Sequence, residues 1–201
     1  MRSGLFTLSQ SSSKWLVIDL FDTICEMNEY MGGLFEVEEF IMGTDFYKEI
    51  EPDCTPCYLF EKRNMQYCHQ ALTRFTRDIA ERYGKNIILV RADLKDKFIT
   101  LDDRLQPMDE DPKLPLKRKF ITLCEDMFIQ FTGCRVIDLS KHFYSSDRYP
   151  GGGADIVHYE EEFYRLAAEY ISRIISGDEC RVFDKADESY ISLRDLRLER
   201  D

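Results

Sequence analysis

Three short apolar runs, each followed by a longer amphipathic segment, constrain the fold of this chain more than any other feature. The runs are residues 15–20 (WLVIDL), 86–92 (NIILVRA) and 134–139 (CRVIDL). They are rich in β-branched side chains and too short for core helices, which is typical of buried parallel strands. We therefore expect three strands that are covered on both faces.

The segments between and after these runs repeat apolar residues at three- and four-residue spacings. They stop at Gly84, Gly133 and Gly177, and glycine is the residue that most often ends a helix. Strands that alternate with helices predict an α/β domain with a central parallel sheet. We also expect a further helix within residues 33–51 and a surface loop over residues 101–115 (LDDRLQPMDEDPKLP).

The domain is expected to cover residues 1–177, and residues 178–201 form a highly charged C-terminal extension. Three interpretations of this extension stay open. It could add a small strand and helix, be poorly ordered, or dock on a protein partner.

Composition excludes several classes of protein. Among 201 residues, 38 acidic side chains outnumber 27 basic ones, and the resulting net charge of −11 argues against binding to nucleic acid or to anionic lipid. No apolar run approaches the roughly 20 residues of a membrane helix. The first residues lack the apolar centre of a signal peptide, so we expect a cytoplasmic protein.

The seven cysteines are predicted to be reduced, because their number is odd and no signal peptide is evident. Cys54, Cys57, Cys68 and His69 offer four candidate zinc ligands, and the first pair has the spacing of a zinc finger. However, adjacent helix residues point about 100° apart, so Cys68 and His69 do not form a second pair. We predict no metal and no cofactor.

Asp155 and His158 lie where a glycine-rich loop meets the last predicted helix. This loop follows the third strand, and ligands in open α/β sheets bind beyond the carboxyl ends of the strands. In one interpretation, the Asp155 carboxylate orients the His158 ring as a base. In the other, Asp155 only caps the helix by accepting backbone N–H bonds, and His158 is a partly exposed residue of its first turn.

The segment DLSKHFYSSDRYPGGGADIVHYEEEFYRLAAEYI resembles the last block of SGNH/GDSL-type hydrolases. With WLVIDLFDTI upstream, the chain is similar to bacterial SGNH-like proteins associated with surface polysaccharides. The resemblance covers roughly residues 14–176, and its specific motif is ADIVHY. It implies a three-layer flavodoxin-like fold, with His158 as the catalytic base and Asp155 as its orienter. The implied substrates are O-acylated glycans or small esters.

The nucleophile of the SGNH-like family has no counterpart in the sequence. The family serine follows its first strand, whereas the serines upstream of residue 15 follow no strand-like run; they are Ser3, Ser9, Ser11, Ser12 and Ser13. The resemblance therefore predicts an incomplete N-terminal unit and an esterase or acyltransferase that is inactive alone. The alternative is a non-catalytic binding or accessory protein that contacts a partner through its N-terminus or its C-terminal extension.

Other polar residues favour weaker hypotheses. Asp19 and Asp22 are three residues apart, whereas the nucleophile motif of haloacid-dehalogenase-type phosphatases requires a spacing of two, so we expect Asp19 to bond within its loop or with a basic side chain. Arg91 and Asp93 could line the same cleft, and Arg148 could hold an anionic ligand. His142 and His69 are expected to be a satisfied loop residue and a surface residue.

Overall fold

The computed structural model describes residues 12–36, 42–149 and 152–186. Within these ranges the strands are, in chain order, β1 (Leu16–Ile18), β2 (Glu26–Tyr30), β3 (Gly33–Glu36), β4 (Thr55–Tyr58), β5 (Ile87–Val90), β6 (Lys97–Ile99), β7 (Leu105–Pro107), β8 (Arg135–Ile137), β9 (Ser145–Ser146) and β10 (Val182–Phe183). The α-helices are α1 (Asp45–Ile50), α2 (Met65–Tyr83), α3 (Leu114–Thr132) and α4 (Glu161–Ile175).

The central sheet has the strand order β1-β5-β8-β10, and each neighbouring pair is parallel. Its first three strands are the three apolar runs of the sequence. Strand β5 lies inside the sheet, and Ile87, Ile88 and Leu89 have no exposed surface. Burial of each such aliphatic side chain contributes roughly 1.5–3 kcal/mol, so this strand anchors the core.

Helices cover both faces of this sheet. Ile87 and Leu89 belong to a core cluster with side chains of α2 and α3, whereas Ile88 belongs to a second cluster with side chains of α4. Successive side chains of a strand point to opposite faces, which explains why the run is apolar at every position. The predicted three-layer α/β fold with a central parallel sheet is confirmed.

Glycines end the two long helices of the first face, as the sequence predicts. Gly84 and Gly133 have φ angles of 56° and 62° and follow α2 and α3 directly. A positive φ is accessible to glycine without the steric cost of a Cβ atom, so the chain can turn sharply into the next strand.

Two small sheets differ from the sequence expectations. The helix expected within residues 33–51, around residues 35–43, falls mostly on residues 37–41, which lie outside the described residues. On either side, Gly33–Glu36 is a strand of the sheet β3-β2-β4 and Asp45–Ile50 is helical. A tight turn with positive φ at Met31 and Gly32 joins β2 to β3. The expected loop over residues 101–115 contains strand β7, which pairs with β6. Pairing with the neighbouring strand β6 thus overrides the local loop pattern of residues 105–107.

The segment after Gly177 contributes to the central sheet. Strand β10 extends the sheet beside β8, and Phe183 is buried in the same core cluster as the side chains of α4. Residues 187–201 lie outside the described part of the chain. The sheet therefore gains its fourth described strand from the charged C-terminal extension.

Candidate functional site

A cleft of about 490 Å³ opens at the carboxyl ends of β1 and β5, and we call it the His158 cleft. Its apolar wall comes from α4 and from the residues just before it. Its lining residues are Asp19, Phe21, Asp22, Val90, Arg91, Ala92, Tyr149, Val157, His158, Tyr159, Phe163, Tyr164, Ala167, Ala168 and Ile171. This is the edge of the sheet at which the sequence predicts a ligand site.

The loop that carries Asp155 and His158 is held by a buried serine. The Ser145 hydroxyl, which has no exposed surface, accepts a bond from the Asp155 backbone N–H and lies within 2.5 Å of the Asp155 carbonyl and 2.9 Å of the His158 carbonyl. An antiparallel bridge joins Ser145 to Tyr159. These contacts tie the backbone of the loop to β9, so the position of His158 is set by the core.

The His158 ring is oriented by a backbone carbonyl and by an aromatic neighbour. Its Nδ1 lies 2.8 Å from the Gly153 carbonyl oxygen. A carbonyl only accepts hydrogen bonds, so Nδ1 carries the proton in this contact and Nε2 of the neutral ring keeps a lone pair. The Tyr149 ring stacks on the imidazole at a centroid distance of 3.9 Å. The arrangement fixes both the tautomer and the plane of the ring.

Asp155 does not orient His158 in the way that the catalytic interpretation predicts. Its carboxylate accepts a hydrogen bond from the Ile156 backbone N–H at 2.6 Å, and no hydrogen bond joins it to the His158 ring within the described residues. Gly153 takes the place of the expected carboxylate on Nδ1.

The helix also begins later than predicted, so His158 does not lie in its first turn. The first residue of α4 is Glu161, and Glu160 precedes it with an extended backbone. Glu160 pairs with Tyr144, whose carbonyl accepts the Glu160 N–H and whose N–H donates to the Glu160 carboxylate. This pairing holds the chain extended beyond His158. Gly151, in the predicted glycine loop, lies outside the described residues.

Within the described part of the chain, no serine hydroxyl makes a hydrogen bond to the His158 ring. Ser140 and Ser146 accept backbone N–H bonds from Asp93 and Arg148, respectively. Ser13 bonds to the Trp15 carbonyl before β1 begins. The candidates Ser3, Ser9 and Ser11 lie outside the described residues.

Asp19 and Asp22 follow β1 and contribute carboxylates to the His158 cleft. Asp19 accepts a hydrogen bond from the Phe21 N–H at 3.0 Å, which is the loop contact expected from the sequence. The ligand atoms of Asp22, Cys25 and Glu36 all lie within 4.8 Å of one another. Burial, with Glu36 and Asp22 nearby, raises the pKa of Cys25 to about 12. At neutral pH the Cys25 sulfur is therefore a thiol rather than a thiolate ligand.

Sequence reasoning missed a buried glutamate behind the cleft. Glu125 of α3 accepts bonds from the Arg91 Nε at 3.0 Å and from the Ala92 N–H at 2.8 Å, and its side chain is 2% exposed. Burial raises its pKa to about 7, although both of these donors oppose the shift. Arg91 also pairs with Asp126, so its cationic group is held against α3. The sequence feature that could have indicated this buried carboxylate is a single acidic residue on the apolar face of a predicted helix.

The remaining candidates lie elsewhere. Arg148 pairs with Asp103 at 3.0 Å and does not line the His158 cleft. The His142 ring contacts the Asp184 carbonyl at 2.7 Å, and His69 is an exposed residue of α2. Both histidines occupy the kinds of position that the sequence predicts.

The four candidate zinc ligands are divided between different elements. Cys57 lies on β4, Cys68 is buried on α2, and Cys54 is partly exposed just before β4. Within the described ranges, these cysteines and His69 do not gather into a ligand group.

Comparison with known proteins finds no matching family model, no matching curated protein and no matching solved structure. In the described part of the chain, the helices are all too short or too polar to cross a lipid bilayer. The fold and the geometry of the His158 cleft therefore carry the functional argument.

Proposed function

We propose that this chain is an SGNH-like domain whose His158 cleft binds a small ester or an O-acylated glycan, with His158 as the base. The observation that carries the proposal is the contact between His158 Nδ1 and the Gly153 carbonyl. This contact leaves Nε2 as the basic nitrogen of a ring that lines the cleft.

The chemistry requires a hydroxyl that attacks the ester carbonyl. Nε2 would take the proton of water, or of an acceptor sugar in an acyl transfer, as the new oxygen–carbon bond forms. The ester C–O bond then breaks, and the departing alcohol takes this proton back from the imidazolium. A neutral carbonyl stabilises the resulting imidazolium less than a carboxylate would, because it carries no full charge. No serine hydroxyl of the described residues is positioned on the ring, so the isolated chain is expected to turn over esters slowly or not at all.

A non-catalytic binding or accessory role is the second candidate. The position of the Asp155 carboxylate favours it, because that group bonds to the Ile156 N–H instead of the His158 ring. In this role the cleft would hold the acylated ligand, and the nucleophile would come from a partner chain.

Nitrogen NMR of the histidine rings tests the base assignment directly. The chain has only three histidines, so the spectrum can be assigned with single variants. We expect the neutral His158 ring to carry its proton on Nδ1, and its Nε2 signal to shift when an O-acetylated xylo-oligosaccharide is added. The deacetylated oligosaccharide is the matched ligand control.

Calorimetry and acetate release then separate the two roles. His158→Gln is expected to weaken binding of the acetylated oligosaccharide by about tenfold, equivalent to about 1.4 kcal/mol. His142→Gln should leave binding unchanged, because that ring lies outside the cleft. Binding with acetate release that depends on His158 favours the hydrolase. Binding without release favours the accessory role, and equal binding of both oligosaccharides contradicts the proposal.

A further inference from the structure

A second cleft, of about 310 Å³, opens beside α2, and we call it the α2 cleft. Leu72 and Phe75 of α2 line it together with Leu59 and with Ile18, the last residue of β1. Leu59 and Leu72 are each 7% exposed and belong to the core cluster between α2, α3 and the central sheet. A cleft of this size with mostly apolar walls suits a small ligand with an apolar body.

The charged residues of this cleft are acidic. Among the residues that the structure describes, Asp19 and Asp22 are the charged ones that line it, and both are exposed. A carboxylate oxygen of Glu36 lies within 4.8 Å of one of Asp22, which adds negative charge beside the cleft. One oxygen of Asp19 accepts the Phe21 N–H at 3.0 Å, and within the described ranges no salt bridge joins Asp19 to a basic side chain. The cleft therefore favours a cation over an anion.

The two acids mark the place where the α2 cleft meets the His158 cleft, because they line both. Leu72 and Phe75 line the α2 cleft and not the His158 cleft. A ligand in the α2 cleft can thus hold a charged group beside Asp19 and Asp22 while its body packs against α2.

We propose that the α2 cleft binds a small amine with an aromatic or branched aliphatic body. The body packs against Leu72 and Phe75, and the ammonium group donates hydrogen bonds to the carboxylates of Asp19 and Asp22. Because both carboxylates are exposed, the charge contributes modestly and is screened by salt. This site does not depend on His158 as a base or on any ester chemistry.

Methyl NMR of the wild-type chain tests the proposal with three ligands of similar size: phenethylamine, phenethyl alcohol and phenylacetate. We expect the amine to bind about tenfold more tightly than the alcohol and the anion to bind more weakly than the alcohol. The methyl signals of Leu59 and Leu72 should shift, and nuclear Overhauser contacts should join them to the phenyl ring of the amine. The advantage of the amine over the alcohol should shrink in high salt.

Variants separate the apolar contact from the charge. Ala71 of α2 lines the cleft and is partly exposed, so Ala71→Trp should fill part of the cleft and abolish binding of the amine. Ala168→Trp is the matched control, because Ala168 lines the His158 cleft and not the α2 cleft, and it should leave binding of the amine unchanged. Asp19→Asn combined with Asp22→Asn should make the affinities for amine and alcohol equal without weakening the alcohol.

Equal affinities of the wild-type chain for amine and alcohol would overturn the proposal. So would an absence of Leu59 and Leu72 shifts at millimolar amine, or contacts of the amine with the Val157 and Ile171 methyl groups of the His158 cleft instead. The wild-type measurement needs no variant, so it decides the question even if a tryptophan substitution prevents folding.

Discussion

Two carboxylates beside the carboxyl ends of the central strands are held in opposite ways. Glu125 is buried, and it bonds to Arg91 and to the Ala92 N–H across more than 30 residues of chain. Asp155 is exposed, and it bonds to the N–H of the next residue. Packing between distant segments buries Glu125 and raises its pKa, whereas the local contact of Asp155 leaves that carboxylate in water. The position of an acid in a sequence motif is thus a poor guide to its environment.

Removal of the buried carboxylate should have the largest effect on stability. Glu125→Ala is expected to lower the free energy of unfolding by about 4 kcal/mol at neutral pH, because Arg91 and the Ala92 N–H lose a buried partner and a cavity forms. Urea unfolding measures the loss. Asp126→Ala is the control: its side chain is 59% exposed, so it should cost less than about 1 kcal/mol. Equal losses for the two variants would contradict the burial argument.

The buried Glu125 carboxyl should also make the stability of the chain depend on pH. Burial raises the pKa of Glu125 from 4.5 to about 7, so the folded chain binds the proton more tightly than the unfolded chain. Its contribution to stability is therefore greatest below pH 4.5 and falls as the pH rises to about 7. Relative to Glu125→Gln, which does not titrate, the wild-type chain should lose about 3 kcal/mol over that window.

Urea unfolding of both chains at several pH values measures this difference. The glutamine variant keeps the size of the side chain and one of its two acceptor oxygens. The loss of the other acceptor does not depend on pH, so the pH dependence of the remaining groups cancels in the comparison. If the free energies of unfolding of the two chains change with pH in parallel, the pKa of Glu125 is not raised in the folded chain.

The same difference between local contacts and distant packing determines which features of the fold and of the site could be predicted from the sequence. The three strands of the central sheet and the glycine ends of α2 and α3 follow from local periodicity, and the structure confirms them. The pairing of Glu125 with Arg91 depends on how α3 packs against β5, which no local pattern encodes. The sequence likewise predicted His158 at this edge of the sheet, but it left open whether Asp155 orients the ring or bonds only to the backbone, and it did not indicate Gly153 as the partner of Nδ1. Glycine carbonyls leave no side-chain signature, so the Gly153 contact could not be predicted.

A smaller loss of stability is expected at Gly153, whose backbone carbonyl holds the His158 ring. Gly153 has a φ angle of 87°, and an added Cβ atom would meet only ordinary contacts. Gly153→Ala should therefore cost about 1 kcal/mol through backbone strain alone. Thermal and urea unfolding check this value. Gly33→Ala is the control, because its φ angle lies outside the left-handed region and its nearest contact is 3.5 Å.

The same variant should also disturb the His158 ring. Any change of the backbone at Gly153 moves the carbonyl that holds Nδ1, so the histidine NMR signals of His158 should change while those of His142 stay in place. An undisturbed His158 signal would mean that Tyr149 stacking alone holds the ring.

The smallest effect is expected at the residue that the sequence motif makes most prominent. Asp155→Ala removes one hydrogen bond to the Ile156 N–H at an exposed position, so the free energy of unfolding should fall by only about 0.5 kcal/mol. Thr44→Ala is a useful comparison, because the Thr44 hydroxyl caps α1 through the Tyr47 N–H and its loss should cost about 1 kcal/mol.

Binding of the acetylated oligosaccharide should be unchanged in Asp155→Ala, since the carboxylate does not contact the His158 ring. If Asp155→Ala instead weakens binding or acetate release as much as His158→Gln does, the carboxylate must reach the ring in the working protein. The Asp155–His158 pair of the SGNH-like resemblance would then be restored, and the Gly153 contact would belong to the ligand-free state.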